Sequence, residues 1–166
     1  MKSTVWLVLG LILTVGFIFG AYFLVSGGQK PATAIVSYSS SDKERPRAEI
    51  KSTFSDLGKM KVSDEKSSEF TIKNIGQKPL QLSNINSSCN CTFVQVIIDG
   101  KESELFGMHN VSDFAGEILP GKSAKIKVIY RPFIMPVYGP IEREAYVETN
   151  DPENPKLVFK VRANVN

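Results

Sequence analysis

A chain of 166 residues that opens on an apolar segment has room for one folded domain behind it. Its formal charge of +3 is spread thinly, and no concentrated basic face with interleaved aromatics appears, so a nucleic-acid partner is not expected. Two cysteines are too few for a disulfide-stapled scaffold, which leaves an apolar core to hold the domain.

Residues 1–4 are a short amino-terminal tail, and residues 5–25 carry no charge at all. About 20 helical residues cross the hydrocarbon core of a bilayer. A secretory signal has a shorter apolar region of roughly 7–15 residues, so an uncleaved signal anchor is expected over residues 5–25. The alternative is a signal cleaved near Val25-Ser26-Gly27, which would release a secreted domain. Lys2 faces Lys30, Lys43, Arg45 and Arg47 across the segment, so charge counting does not set the orientation. The short tail favours single-pass insertion with a cytoplasmic amino terminus and the domain outside the cell membrane.

Residues 26–47 are rich in Ser, Gly, Pro and charge and are too polar to bury a face of their own. They read as a flexible linker spanning roughly 25 Å as a coil. From Ala48 to the last residue, 166, the pattern turns to period two, the strand signature. Phe70 and Ile72 share one face, as do Leu80 and Leu82. Ala124, Ile126, Val128 and Tyr130 repeat the pattern, and Leu157, Phe159, Val161, Ala163 and Val165 give it most clearly. Clean alternation means one buried and one wet face, which favours antiparallel sheets. Turn signals stand between these runs, at Gly76-Gln77-Lys78-Pro79, Leu119-Pro120-Gly121-Lys122 and residues 150–155. The sum is an all-β, immunoglobulin-like antiparallel β-sandwich preceded by one N-terminal transmembrane helix. Residues 99–117 break the rhythm and read as a long loop, in which Leu105, Phe106 and Phe114 either line an interaction surface or tuck under the sandwich.

Several segments in this order resemble a known family: Phe70 to Leu80 with Asn74, Gly76 and Pro79, then Cys89-Asn90-Cys91-Thr92, then Pro120-Gly121, then Asn150-Asp151-Pro152 and a closing apolar strand. Over about residues 50–166 the chain resembles the bacterial domain of unknown function 1573. That family is similar to the Ig-like sandwiches of the major sperm protein and the ASPM/SPD-2/Hydin domains. The resemblance implies seven or eight strands, a place in the bacterial cell envelope and no assigned enzyme activity. Cys89 and Cys91 match the family's Cys-Gly-Cys-Thr element with Asn90 in place of Gly, and Asn tolerates a left-handed φ better than most residues.

The cysteine pair concentrates the reactive chemistry. In a regular strand, residues two apart lie about 6.6 Å from each other, whereas a disulfide needs Cβ atoms roughly 3.5–4.5 Å apart. A bend at Asn90 would allow a Cys89–Cys91 bridge of the easily reduced kind. Two thiolates on one face would instead share a soft metal, Cu(I) or Zn(II), with His109 and Met108 completing the set. Two quiet thiols are the third reading. No phosphate loop, His-Glu-x-x-His or Gly-x-Ser-x-Gly element is present, so no enzyme is expected apart from thiol chemistry at Cys89 and Cys91. Two functions follow. One is a membrane-tethered module, without a cofactor, that binds an unidentified protein or cell-envelope partner. The other is a metal- or redox-handling module built on the cysteine pair. The oligomeric state is not written in the sequence.

Overall fold

The computed structural model describes residues 2–26 and 34–166. The chain divides into two compact units, Met1–Thr33 and Ala34–Asn166. The first holds helix α1, Lys2–Ser26. Its described side chains are those of Trp6 and residues 10–21, and they are exposed. Among the described residues no helix is long and apolar enough to cross a membrane, so the span expected over residues 5–25 is not met by those residues alone.

The second unit is a β-sandwich of ten strands. They are β1 (Ala48–Ile50), β2 (Phe54–Met60), β3 (Lys66–Asn74), β4 (Leu80–Ser87), β5 (Thr92–Ile98), β6 (Lys101–Glu102), β7 (Gly116–Ile118), β8 (Ser123–Tyr130), β9 (Gly139–Thr149) and β10 (Lys156–Val165). One sheet runs β1-β3-β8-β5-β6 and the other β2-β10-β9-β4-β7. The count exceeds seven or eight because β1, β6 and β7 have only two or three residues, too few to show alternation. The pairing is antiparallel except for β2, which runs parallel to β10 at the sheet edge. The alternation elsewhere holds: Phe70, Ile72, Leu80, Leu82, Ile126, Val128, Phe159 and Val161 all enter the main core between the sheets.

β4 departs from alternation because Gln81 and Ser83 are buried along with Leu80 and Leu82. Its outer face is covered by the start of the unit. Gln81 Oε1 accepts from the Val36 amide at 2.8 Å, and the Gln81 backbone N–H donates to Asn150 Oδ1 at 2.9 Å. The spacer expected over residues 26–47 is therefore part of the domain from Ala34 onward, and residues 27–33 lie outside the described residues. Composition shows that residues 34–47 lack an apolar face, but not that their backbone is bonded. Ile75 N–H donates to Arg47 O at 2.9 Å and Gln77 N–H to Arg45 O at 3.0 Å. Gly76 makes this approach possible: a Cβ there would stand 2.3 Å from Arg45 O and 2.5 Å from Arg47 N. The Arg45 guanidinium pairs with Glu153 and holds that carboxyl below its ordinary pKa range.

The long loop expected over residues 99–117 is largely structured. Phe106 bridges to Val94 and Ser112 to Ile85, so the segment spans from the β5 edge of one sheet to the β4 edge of the other. Phe106, 4% exposed, is part of the main core and presents no surface, while Leu105 and Phe114 are half-buried.

Two substitutions test this frame by denaturant unfolding. Gly76→Ala drives a methyl group into the backbone of residues 45–47 and is expected to cost about 1–3 kcal/mol, the usual range for overpacking. Phe106→Ala is expected to cost about 3–5 kcal/mol, the range for emptying a buried aromatic site, and Phe114→Ala markedly less. An unchanged midpoint for Phe106→Ala would remove the loop from the core.

Candidate functional site

The cysteine pair lies where the chain crosses from one sheet to the other. β4 ends at Ser87, β5 begins at Thr92, and the two strands belong to different sheets. Between them the Thr92 amide donates to Cys89 O at 3.1 Å and closes a four-residue turn. The turn brings the two Cα atoms to 5.3 Å, and the sulfurs are bonded to each other. The bend needs no left-handed residue at Asn90. Among the described residues, the non-glycine residues with positive φ are Asn84, at the β4 bulge, and Asp99. Asn90 sits exposed at the corner, so the expected special role of its φ is replaced by the ordinary turn hydrogen bond.

Neighbouring polar groups fix the turn. The buried Ser87 hydroxyl reaches Thr92 O at 2.6 Å and Cys89 O at 3.0 Å. Ser88 and Glu144 exchange two hydrogen bonds of 2.9 Å, Ser88 N–H to Glu144 O and Glu144 N–H to Ser88 Oγ. Arg131 N–H donates to Cys91 O at 2.8 Å and ties the turn to the end of β8.

Each sulfur has donors close by. The Cys91 amide donates to Cys89 Sγ at 3.0 Å, and Arg143 Nε donates to Cys91 Sγ at 3.3 Å. The Thr92 hydroxyl lies 3.6 Å from Cys89 Sγ and 3.9 Å from Cys91 Sγ. Cys91 is fully buried and Cys89 only half so. Cys91 packs with Met60, Tyr130, Ile141, Ala163 and Val165 in a second, smaller core. The Arg143 guanidinium stands over the Tyr130 ring at 5.7 Å. The Tyr130 hydroxyl is buried without a hydrogen-bond partner, and burial pushes its pKa up against the opposing pull of Arg143.

The other sequence candidates lie elsewhere. Met108 and His109 are exposed in the turn that Gly107 N–H closes onto Asn110 O, at the same end of the sandwich. The sulfurs' hydrogen bonds go to the turn itself and to Arg143, not to His109. Among the described residues no three His, Cys, Asp or Glu side chains are grouped to hold a metal ion. Sequence reasoning missed Arg143, although a signal was present. Ile141, Arg143, Ala145 and Val147 share one parity of β9, so a charged residue occupies a core-facing position. It also missed residues 133–138, where Phe133, Ile134, Met135, Val137 and the 70% exposed Tyr138 form an open apolar run just after Arg131.

A family model described as HYDIN/CFA65/VesB-like, Ig-like domain matches residues 46–164. The chain belongs to this family. A protein of unknown function from Porphyromonas gingivalis W83 is similar in structure at 22% identity and a TM-score of 0.54, over 73% of this chain and 47% of that one. The chain thus spans about half of that protein's length. A family 123 glycoside hydrolase from Clostridium perfringens aligns at 14% identity and a TM-score of 0.51, over 68% of this chain and 22% of the hydrolase. The ASH/PapD-like domain 7 of human CEP192 aligns at 13% identity and a TM-score of 0.49, over 83% and 97% of the two chains. The first two likenesses show the sandwich fold alone. No curated protein matches the sequence.

Within this HYDIN/CFA65/VesB-like domain, Ser87→Ala removes the donor shared by two carbonyls of the cysteine turn. It is expected to cost about 1–3 kcal/mol, the penalty for leaving the buried Thr92 carbonyl without this donor, while Cys89 O keeps the Thr92 amide. Denaturant unfolding checks it, and a cost near zero would show that the turn holds without Ser87.

Proposed function

We propose that the chain is a membrane-tethered, extracytoplasmic Ig-like module whose work is to bind a protein partner of the cell envelope. The observation that carries the binding reading is the open apolar run over residues 133–138. An exposed patch of this kind on a small domain is a common mark of an interaction surface. It lies at the end of the sandwich where β8 finishes and β9 starts, whereas residues 34–47 join the domain at the opposite end, beside Gly76 and Gln81. The chain's attachment and its apolar surface are thus separated by the length of the strands.

The tether reading rests on the charge-free residues 5–25 and on α1, whose 25 helical residues extend about 37 Å at about 1.5 Å per residue. That length exceeds the roughly 30 Å of a bilayer's hydrocarbon core. Leu11, Phe17 and Phe19, all exposed, are side chains for which lipid is a suitable surrounding. The Cys-Asn-Cys-Thr and Asn-Asp-Pro elements support the narrower membership in domain of unknown function 1573 and the bacterial envelope setting that goes with it.

Two measurements test the proposal. The full chain expressed in a bacterial host is expected to stay with membranes through an alkaline carbonate wash, while a chain starting at Ala34 is expected in the supernatant. Release of the full chain would sink the tether. A photo-crosslinking residue at Tyr138 is expected to give a discrete protein adduct that disappears when Phe133→Asp is added. The same crosslinker at Lys101, toward the other end of the sandwich, is expected to give none. Equal adducts from both positions would remove residues 133–138 as the binding surface.

A further inference from the structure

We propose that the Cys89–Cys91 pair is a thiol–disulfide exchange site that takes electrons from a polypeptide carrying two cysteines, with Cys89 the sulfur attacked and Cys91 the leaving thiolate. The inference goes beyond the tethered module: the exchange step does not depend on the tether or on the crosslinking outcome, while its substrate class rests on residues 133–138 as the binding surface.

The bond is poorly suited to serve as a staple. A disulfide stabilises mainly by closing a loop in the unfolded chain, and the effect grows with loop length. Here the separation is two residues, so little chain entropy is removed. The turn is already closed by Thr92 N–H on Cys89 O and by the Ser87 hydroxyl, neither of which requires the sulfurs to be joined.

The surroundings favour the reduced form instead. A thiolate is stabilised by nearby cations and by donors aimed at the sulfur. Arg143 Nε stands 3.3 Å from Cys91 Sγ in a partly buried position, where its charge is screened less than at the surface. The Cys91 amide stands 3.0 Å from Cys89 Sγ. Stabilising the dithiolate form makes the disulfide a better oxidant. Access sets the direction of attack: Cys89 is half-buried beside the exposed Asn90, and Cys91 is fully covered. Substrate class follows from what lies alongside. Arg131 N–H on Cys91 O places the open apolar residues 133–138 next to the turn, a surface suited to an apolar stretch of polypeptide.

The exchange balances in two steps. A substrate thiolate attacks Cys89 Sγ and forms an intermolecular S–S bond. The Cys89–Cys91 bond breaks, and its electron pair leaves on Cys91 Sγ as a thiolate beside Arg143. The second substrate thiolate then attacks the substrate sulfur of the mixed disulfide, forms the substrate's own disulfide and expels Cys89 as a thiolate. The substrate loses two electrons, the pair gains two, and the substrate's two thiol protons pass to solvent.

The test uses the full chain in detergent. It is equilibrated with set ratios of reduced and oxidised glutathione, alkylated and weighed by mass spectrometry. The pair is expected to interconvert reversibly with an unchanged thermal unfolding profile, and a pair that stays oxidised in excess reduced glutathione would overturn the proposal. Arg143→Met is expected to lower the dithiol-to-disulfide ratio roughly tenfold at a fixed buffer, with Arg143→Lys restoring most of it. An unchanged ratio in a folded Arg143→Met chain would also overturn it. For the attack order, a synthetic peptide with two cysteines flanked by apolar residues serves as probe. Cys91→Ser is expected to trap a mixed disulfide when the peptide is offered in its activated form, and Cys89→Ser is expected to trap none. Equal trapping by both variants would reject the assigned roles.

Discussion

One buried carboxylate ties the two sheets together where the domain begins. Asp151, fully covered in the turn between β9 and β10, accepts from the Ala48 amide at 2.9 Å, the Glu153 amide at 3.0 Å and Asn154 Nδ2 at 2.8 Å. Ala48 opens β1 in one sheet, whereas the turn belongs to the other. Burying an anion is costly unless its lone pairs are met, and here three donors from two parts of the chain converge on it. The neighbouring amides complete the joint. Asn74 Nδ2 donates to Lys78 O and Ile118 O at 2.8 Å each, and Asn150 Oδ1 accepts from the Gln81 amide. The close pass of residues 45–47 over Gly76 brings the entering chain under the same set of bonds.

With that end fixed, the strands carry order to the other. β9 and β10 pair over ten residues without a break, which sets where Arg143 emerges. Ser88 and Glu144 then align the cysteine turn with β9, so Arg143 meets Cys91 through pairing rather than through a flexible loop. The two ends differ in kind. One is a mesh of amides around a buried carboxylate. The other keeps a half-covered sulfur, an unpartnered hydroxyl and an open apolar run.

The long strands were legible because their periodicity is a direct record of burial. The alternation from Leu157 to Val165 in the sequence is the burial pattern of β10. What escaped is what periodicity does not encode. β1, β6 and β7 are too short to alternate, and the parallel register of β2 depends on a partner a hundred residues away. Residues 34–47 look like a linker because their contacts run through the backbone and Gln81, not through an apolar stripe. At the site, the cysteines are visible as a motif and their bend as a geometric need, but the Thr92 hydrogen bond that makes the bend is a backbone contact that residue identities do not show. Arg143 stood in plain view at an inward position. A single charge in an alternating strand carries weight only once its partner, here Cys91, is known.

The division between the ends bears on what the cysteine pair is able to do. A bond that holds a fold together is not free to open, because opening it spends the stability it supplies. At this turn the crossing from β4 to β5 is held by Ser87, Thr92 and the Ser88–Glu144 pair, and the sheets are joined at the far end by Asp151. The main core, with Phe70 against Phe159 at 5.0 Å, lies between these ends and contains neither sulfur. Breaking Cys89–Cys91 therefore removes one short covalent link and leaves the bonds that define the turn in place. A disulfide with a small structural share, one accessible sulfur and a cation beside the other satisfies the physical conditions for a bond that opens and closes on a standing frame.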